Sequence, residues 1–167
     1  PAELSAYRAR GTLIDVTEER RAEQAVQHLA AVVESTEDAI FSASADGRIL
    51  SWNRGAARMF GLRPEDTIGQ RLSDLLPANE AAQAGRLIAR AASGESIEGF
   101  ETDLSIKGER TIHIAVTLSP LRDASGRITA ASAVARDITS RREAERRRLV
   151  EHRVAQLLAE SAPLNRT

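Results

Sequence analysis

The chain has 167 residues, and its 23 Lys and Arg nearly balance its 24 Asp and Glu, which leaves a formal net charge of −1 at pH 7. This balance gives no reason to expect a nucleic acid or an anionic membrane surface as a partner. The absence of cysteine excludes disulfides, thiolate metal sites and cysteine nucleophiles. No apolar stretch reaches the ~20 residues of a membrane span, so we expect a cytoplasmic domain, although a parent protein could be membrane-anchored.

A short motif stands near each end of the chain. LIDVTEERRAE runs from Leu13 to Glu23, and ARDITSRREAE runs from Ala135 to Glu145. Matching Asp15 to Asp137 leaves about one domain's length of chain between the two copies. The two copies therefore bracket a segment that is long enough for one domain.

The first predicted element is a helix over residues 17–34, with Thr17 placed to cap its N-terminus. Its apolar residues recur at steps of four, three and four, which is the spacing of one helix face. We call this set the N-terminal seam; it consists of Ala22, Val26, Leu29 and Val33.

The next stretch predicts a β-hairpin and then a series of helices. The apolar runs DAIFSAS and RILSW are separated by a turn signal, ADG, at residues 45–47. Asn53 suits the N-cap of a short helix, RGAARMF, which Gly61 can end. Pro64 opens another helical turn, QRLSDLLP is a further helical piece, and Ala78 to Ala92 is an alanine-rich helix.

Three strand-like runs and a last helix complete the chain. The runs are IEGFETDLSI, RTIHIAVTLSPL and RITAASAVARDI, and in the second Ile112, Ile114, Val116 and Leu118 alternate with more polar residues. The order of elements predicts an α+β fold, a five-stranded antiparallel sheet with short helices on one face. The last predicted helix, over residues 140–160, carries a C-terminal seam of Val150, Val154 and Leu157.

Four segments in this order resemble a PAS domain, the sensory module of many bacterial signalling proteins. They are ADGRILSWN at 45–53, AARMFGLRPEDTIGQRLSDLLP at 56–77, LSPLRDASGRI at 118–128 and ARDITSRREAE at 135–145. The resemblance implies the PAS fold and a place in a bacterial signal-transduction protein such as a sensor histidine kinase.

The resemblance also implies a domain organisation. Residues 1–16 are expected to be the last strand of a preceding PAS domain, residues 17–34 a linker helix and residues 35–139 the PAS domain. Residues 140–160 form the expected signalling helix, and residues 161–167 the start of the next module or a tail. The expected neighbours are PAS, GAF or kinase domains of a longer protein.

The Asp-Ile-Thr motif joins the last strand to the signalling helix. In this prediction Asp137 accepts hydrogen bonds from the backbone that follows, Ile138 lies between, and Thr139 caps the helix. Ser140 with Glu143 offers a competing capping box. Asp15 and Thr17 are the corresponding residues of the first copy, and all five motif residues are candidates for signal transmission.

The resemblance further implies a cavity between the sheet and the short helices. The same apolar side chains could fill a core completely, so a ligand pocket and a filled core stay open alternatives, and the filled core is favoured. The candidate lining residues are Phe41, Trp52, Asn53, Phe60, Ile68, Leu72, Leu76, Leu87, Ile88 and Ile114.

No cofactor is expected. Thiol-based flavin photochemistry is excluded by the lack of cysteine, and a flavin without cysteine is a less favoured alternative. Haem is disfavoured because residues 78–92, where haem-binding relatives place their ligand, contain no His. His113 alternates with the core face and is expected to point outward, and no metal site is predicted.

One histidine raises the question of catalysis. His152 lies in EHRVAQLLA, which faintly resembles the HRVKN phosphoacceptor box of one histidine-kinase group, but Ala155-Gln156 replace its Lys-Asn. A rival resemblance is to the start of a GAF domain.

We therefore expect that this chain is not an enzyme. We expect instead a relay module, which forms a homodimer through coiled-coil helices and passes a conformational signal to an output domain. The alternatives are a ligand-free spacer that dimerises, or a flavin- or small-ligand sensor.

Overall fold

The computed structural model describes residues 17–106 and 110–161. The chain divides into two units, Pro1–Val32 and Val33–Thr167. The described part of the first unit is a helix, α1 (Thr17–Ser35), which continues into the second. The predicted strand over residues 1–16, with Asp15, and residues 162–167 lie outside the described residues.

The second unit holds a sheet and short helices in the order that the sequence predicts. The strands are β1 (Ala39–Ala43), β2 (Ile49–Trp52), β3 (Ile97–Ile106), β4 (Arg110–Arg122) and β5 (Ile128–Asp137). The further helices are α2 (Arg54–Phe60), α3 (Pro64–Thr67), α4 (Leu72–Leu75), α5 (Ala78–Ala92) and α6 (Thr139–Ser161).

The sheet is antiparallel, with the strand order β2-β1-β5-β4-β3. This arrangement confirms the predicted α+β fold class. β1 and β5 are neighbours in which Ala39 lies opposite Ala135, so the start of β1 is beside the end of β5. The segment that enters the sheet and the segment that leaves it therefore lie side by side.

The core lies between the inner face of the sheet and α5. β4 presents Ile112, Ile114, Val116 and Leu118 to this core, as the period-two pattern predicts. The matching residues of β5 are alanines at 131, 133 and 135, so the middle of the sheet carries little side-chain volume. Because the flanking residues are larger, this run of alanines leaves room for a cavity.

The predicted turns and caps are confirmed where helix α2 begins and ends. Asn53 is its N-cap and accepts a hydrogen bond from the Ala56 N–H, while Gly61 ends it in the left-handed conformation at φ 65°. Gly55, in the first turn of α2, packs directly on the backbone of Asp38.

Within the described residues, no helix has the length and apolar character needed to cross a lipid bilayer.

Candidate functional site

A cavity of about 140 Å³ lies between the inner face of the sheet and the helices. Its floor is formed by inward-facing residues of β4 and β5, and α5 covers it. The lining residues are Phe41, Trp52, Phe60, Leu62, Leu72, Leu75, Leu76, Glu80, Gln83, Ala84, Leu87, Ile88, Thr102, Asp103, Leu104, Ser105, Ile114, Val116, Leu118, Ala133 and Ala135.

Three aromatic rings form one wall of this cavity. Trp52 lies 5.2 Å from Phe41 and 5.2 Å from Phe60 between ring centroids, and Phe41 meets Phe60 edge to face at 6.3 Å. The Trp52 indole N–H donates to the Leu62 carbonyl at 3.0 Å. Because its polar atom is satisfied there, Trp52 offers the cavity an apolar surface.

The polar lining residues lie on α5 and β3. Both carboxylate oxygens of Glu80 accept from the Ser105 N–H at 3.1 Å, which pins the start of α5 to the edge strand β3. The Thr102 hydroxyl donates to the Gln83 side-chain oxygen at 3.2 Å. Asp103 pairs with the His113 ring on the neighbouring strand. Gln83 thus lines this side of the cavity with an amide whose oxygen is bound by Thr102 and whose nitrogen carries two N–H groups.

The structure brings most of the predicted lining residues together. All of the candidates except Asn53 and Ile68 line the cavity. Ile68 is wrong as a lining residue because it follows the end of α3 and is 48% exposed. Asn53 is also outside the lining, because its amide is held among backbone groups. Whether the cavity holds a ligand remains a prediction.

Asn53 instead connects the entry segment to the sheet and to α2. Its side-chain oxygen accepts from the Ile40 N–H at 2.9 Å in addition to the Ala56 N–H at 2.8 Å. Its amide nitrogen donates to the carbonyls of Val33 at 2.9 Å and Asp38 at 3.1 Å. The four partner atoms are backbone groups near the end of α1, before and in β1, and in the first turn of α2. We call the set of Val33, Asp38, Ile40 and Asn53 the N-terminal joint.

Residues 137–139 form the corresponding C-terminal joint. Asp137 accepts from the Thr139 N–H at 2.8 Å, as predicted. Thr139 does not act as the predicted cap, since α6 already begins there and its hydroxyl accepts from the His113 N–H of β4 at 3.0 Å. The Ile138 N–H donates to the His113 carbonyl at 2.8 Å. The Thr139 hydroxyl thus takes the place of a backbone acceptor for β4, at the point where the chain leaves β5 and enters α6.

Ion pairs hold both joints to the sheet. Arg142, in the first turns of α6, lies 2.7 Å from Glu101 of β3. Arg136 of β5 binds Asp38 through two N–H donors, at 3.1 and 2.6 Å. Hydrogen bonding from Arg136 lowers the pKa of the Asp38 carboxyl, and the same bond raises the pKa of Arg136. The Asp38–Arg136 pair links the segment before β1 to the end of β5.

The remaining predicted residues lie on the helices and are exposed. In the C-terminal seam, Val150 is 57%, Val154 49% and Leu157 54% exposed, which leaves this apolar face open to a partner. In the N-terminal seam Ala22, Val26, Leu29 and Val33 are exposed as well.

His152 is an exposed residue of α6, and His113 does not line the cavity. Within the described residues, no three His, Asp or Glu side chains come together in an arrangement able to hold a metal.

Several contacts of the joints were not predicted from the sequence. Asp38 and Glu101 belong to no motif, and the ARDIT motif that contains Arg136 does not indicate its partner; the paired residues lie in other segments of the fold. Glu80 gave no signal either, beyond its position in the first turn of a helix. Gly55, in contrast, could have been noticed, because a glycine inside a short helix predicts a close approach of another backbone.

Comparison with known families identifies the class of protein. The model of the PAS fold matches residues 27–138. Since this match covers most of the chain, the chain belongs to the PAS family. PAS domains of this kind are sensory modules of signalling proteins and are generally not catalytic.

Two characterised proteins and one solved structure are similar to the chain. The two-component sensor PprA of Pseudomonas aeruginosa is 31% identical over 140 residues, and phytochrome C of Arabidopsis thaliana is 25% identical over 121 residues. These matches cover 81% and 70% of this chain but only 15% and 11% of the relatives' own length. The PAS domain of a Colwellia psychrerythraea protein has a TM-score of 0.60 at 22% identity, covering 70% of this chain and 98% of that one.

Proposed function

We propose that this domain is a dimeric sensory relay that passes a conformational change from its sheet to α6 and on to an output domain. The observation that carries the proposal is the hydrogen bonding of both backbone polar groups of one residue, His113. The His113 N–H and carbonyl of β4 bind the Thr139 hydroxyl and the Ile138 N–H. A shift of β4 therefore moves the first residues of α6 directly.

The cavity and this joint share a strand, which supports a path for the signal. Ile114 lines the cavity, and its neighbour His113 binds the joint. Adjacent residues of a strand point to opposite faces, so a change in cavity packing displaces the same segment of backbone that holds α6. The ion pair of Arg142 with Glu101 ties the start of α6 to β3 as well.

The exposed seams supply the dimer interface in this proposal. An isolated amphipathic helix is marginal in water, and pairing in a parallel coiled coil buries its apolar face. In α6 the residues from Thr139 to Arg148 are mostly charged, and the apolar seam begins at Val150. We therefore place the pairing contacts of α6 at Val150, Val154 and Leu157, and those of α1 along the N-terminal seam.

The output domain in the proposal is a histidine kinase of a two-component system, located in the cytoplasm. Its support is the similarity to the two-component sensor PprA. PAS, GAF or kinase domains are the proposed neighbours in the longer protein. In this arrangement the chain itself transmits a signal and catalyses no reaction.

The dimer is tested by sedimentation of the 167-residue chain. Val154→Asp places a carboxylate in the C-terminal seam, and we expect it to shift the chain toward monomer at concentrations where the unchanged chain is dimeric. His152→Asp is the matched control, since residue 152 lies on the opposite side of α6 and gains the same charge. A monomeric unchanged chain at high concentration, or equal effects of the two substitutions, would overturn the proposed dimer.

A direct relay between the two linkers is a second candidate function, which one observation favours. The Asp38–Arg136 ion pair connects the residues that follow α1 to the strand that precedes α6. Asn53 also binds the Val33 carbonyl near the end of α1. These contacts allow a displacement of α1 to reach α6 without any ligand. A signalling assay of the longer protein distinguishes the two functions, because Asp38→Asn interrupts the direct relay and leaves the cavity lining unchanged.

A further inference from the structure

The volume of the cavity sets the size of any molecule that it can hold. A dry protein cavity of about 150 Å³ lined by Leu, Ile and Phe binds benzene. The cavity here, at about 140 Å³, is of the same size. It therefore matches a single six-membered ring with few substituents, of about six to nine non-hydrogen atoms.

The lining determines the polarity of such a molecule. The interior consists of aliphatic side chains and the Phe41, Trp52 and Phe60 rings. Every buried side-chain nitrogen and oxygen of the described residues already has a hydrogen-bond partner. An anionic group entering this space would lose its hydration without finding a cationic side chain in the lining, which is unfavourable. The two carboxylates that a cationic group would approach, Glu80 and Asp103, already bind the Ser105 N–H and the His113 ring. The carboxylate of Glu80 on the polar side disfavours an anion further.

One side chain of the lining is suited to bind a polar substituent. The Gln83 oxygen accepts from Thr102, and its amide nitrogen carries two N–H groups. A hydrogen-bond acceptor on the ring, such as a carbonyl oxygen or a ring nitrogen, can take a hydrogen bond from this amide. Leu75 and Leu76, which are half-buried beside Glu80 and Gln83, mark the side at which the cavity approaches the surface.

We infer that the cavity binds a small uncharged molecule with one ring and one hydrogen-bond acceptor, and that Gln83 binds the acceptor. This inference rests on the proposed sensory function and names the ligand class for it. It also separates this domain from flavin- and haem-dependent sensing. The three fused rings of an isoalloxazine exceed the volume that benzene fills, and the cavity lining contains no His for a haem iron.

Binding is tested with the 167-residue chain and four probes, followed by methyl NMR of Ile114 and Leu87. Toluene and benzamide are uncharged single-ring molecules, and we expect both to shift these signals. Benzoate has the same shape as benzamide with a negative charge, and we expect it to bind at least tenfold more weakly. Flavin mononucleotide is expected to cause no shift. Failure of both uncharged probes to bind, or equal binding of benzoate or the flavin, would overturn the inference.

Variants of helix α5 locate the probes in the cavity. Ala84→Phe places a phenyl ring in the space of the ligand, so toluene and benzamide binding should be lost; Ala84→Leu serves if the larger residue prevents folding. Ala81→Phe is the matched control, on the same helix, half-buried and outside the lining. Gln83→Met keeps the length and approximate volume of the side chain but removes the amide donor, so benzamide should bind about fivefold more weakly while toluene is unaffected. Equal toluene binding by the Ala84 and Ala81 variants contradicts the assigned site.

These experiments distinguish a failure of the proposed ligand class from a failure of the proposed relay. Val154→Asp and Thr139→Val change the seam and the joint, and neither residue lines the cavity. If the ligand class is right and the relay wrong, these variants and the unchanged chain bind toluene equally and the longer protein gives no response to it. If the relay is right and the ligand class wrong, the dimer and joint variants have their expected effects while no probe binds.

Discussion

Arg136 and Asp38 lie 98 residues apart in the sequence and form a two-point ion pair at 3.1 and 2.6 Å. The pair closes the end of the sheet at which the chain enters β1 and leaves β5. It holds the two joints together because β1 and β5 are adjacent, antiparallel strands. The segment before β1 and the end of β5 are thus tied to each other directly, while the start of α6 is attached to β4 and β3.

The Asp38–Arg136 pair predicts a dependence of stability on pH. The pair lowers the pKa of Asp38 in the folded chain from its ordinary value of 3.8. Folding therefore favours the ionised form, and its stabilisation is complete above pH 3.8 and is lost as the pH falls through the lower, folded pKa. Asp38→Asn should reduce the free energy of unfolding at neutral pH, and this difference should shrink in acid.

The measurement is urea unfolding of both proteins from pH 7 to pH 2.5. Asp66→Asn is the control, since it breaks an exposed pair with Arg63 only three residues away in the chain. A difference between Asp38→Asn and the unchanged chain that stays constant across this range would contradict the assignment.

The four hydrogen bonds of the buried Asn53 amide predict a large loss of stability when this side chain is removed. Asn53→Ala removes the helix cap and leaves the Ile40 N–H and the carbonyls of Val33 and Asp38 without their partner. We expect a loss of about 3 kcal/mol in the free energy of unfolding. Asn53→Asp keeps an acceptor for the N–H groups but removes the donor to the carbonyls, so it should separate the two roles. Urea denaturation of both variants measures this, and a loss below about 1 kcal/mol for the alanine variant would show that water replaces the amide.

Replacing glycine by alanine should have opposite effects on stability at two helical positions, Gly55 and Gly85. A Cβ at Gly55 would lie 2.1 Å from the Asp38 carbonyl oxygen, whereas a Cβ at Gly85 in α5 meets nothing within 4 Å. Gly55→Ala should therefore destabilise the domain by more than about 3 kcal/mol, because backbone must move. Gly85→Ala should stabilise it by about 0.5–1 kcal/mol through helix propensity. Thermal and urea unfolding of both variants tests the pair of predictions, and an unaffected Gly55→Ala protein would disprove the close packing.

Thr139 predicts a local effect at the C-terminal joint. Thr139→Val keeps the shape of the side chain but removes the acceptor for the His113 N–H, so we expect a loss of about 1–2 kcal/mol in stability. Amide hydrogen exchange should accelerate at His113 and in the first turn of α6. Thr139→Ser retains the hydroxyl and serves as the control. Unchanged exchange at His113 in the valine variant would show that this hydrogen bond does not hold the joint.

The sequence by itself determined the elements, their order and much of the cavity lining. Local signals were sufficient for this: the period-two pattern around Ile114, the cap at Asn53 and the glycine at residue 61 each act within a few residues. Most apolar candidates, such as Phe41 and Leu87, line the cavity because their position in a strand or helix already faces them inward.

Only the tertiary structure decided how the joints are built and that the core is incompletely filled. Asp38 meets Arg136, and Thr139 meets His113, because strand pairing brings distant segments together, and no local pattern encodes such pairs. The Thr139 hydroxyl was predicted as a cap but binds β4, because the neighbouring strand offers an unpaired N–H at that register. The cavity likewise depends on how the alanines of β5 face α5 across the core, and packing between elements is a property of the whole fold.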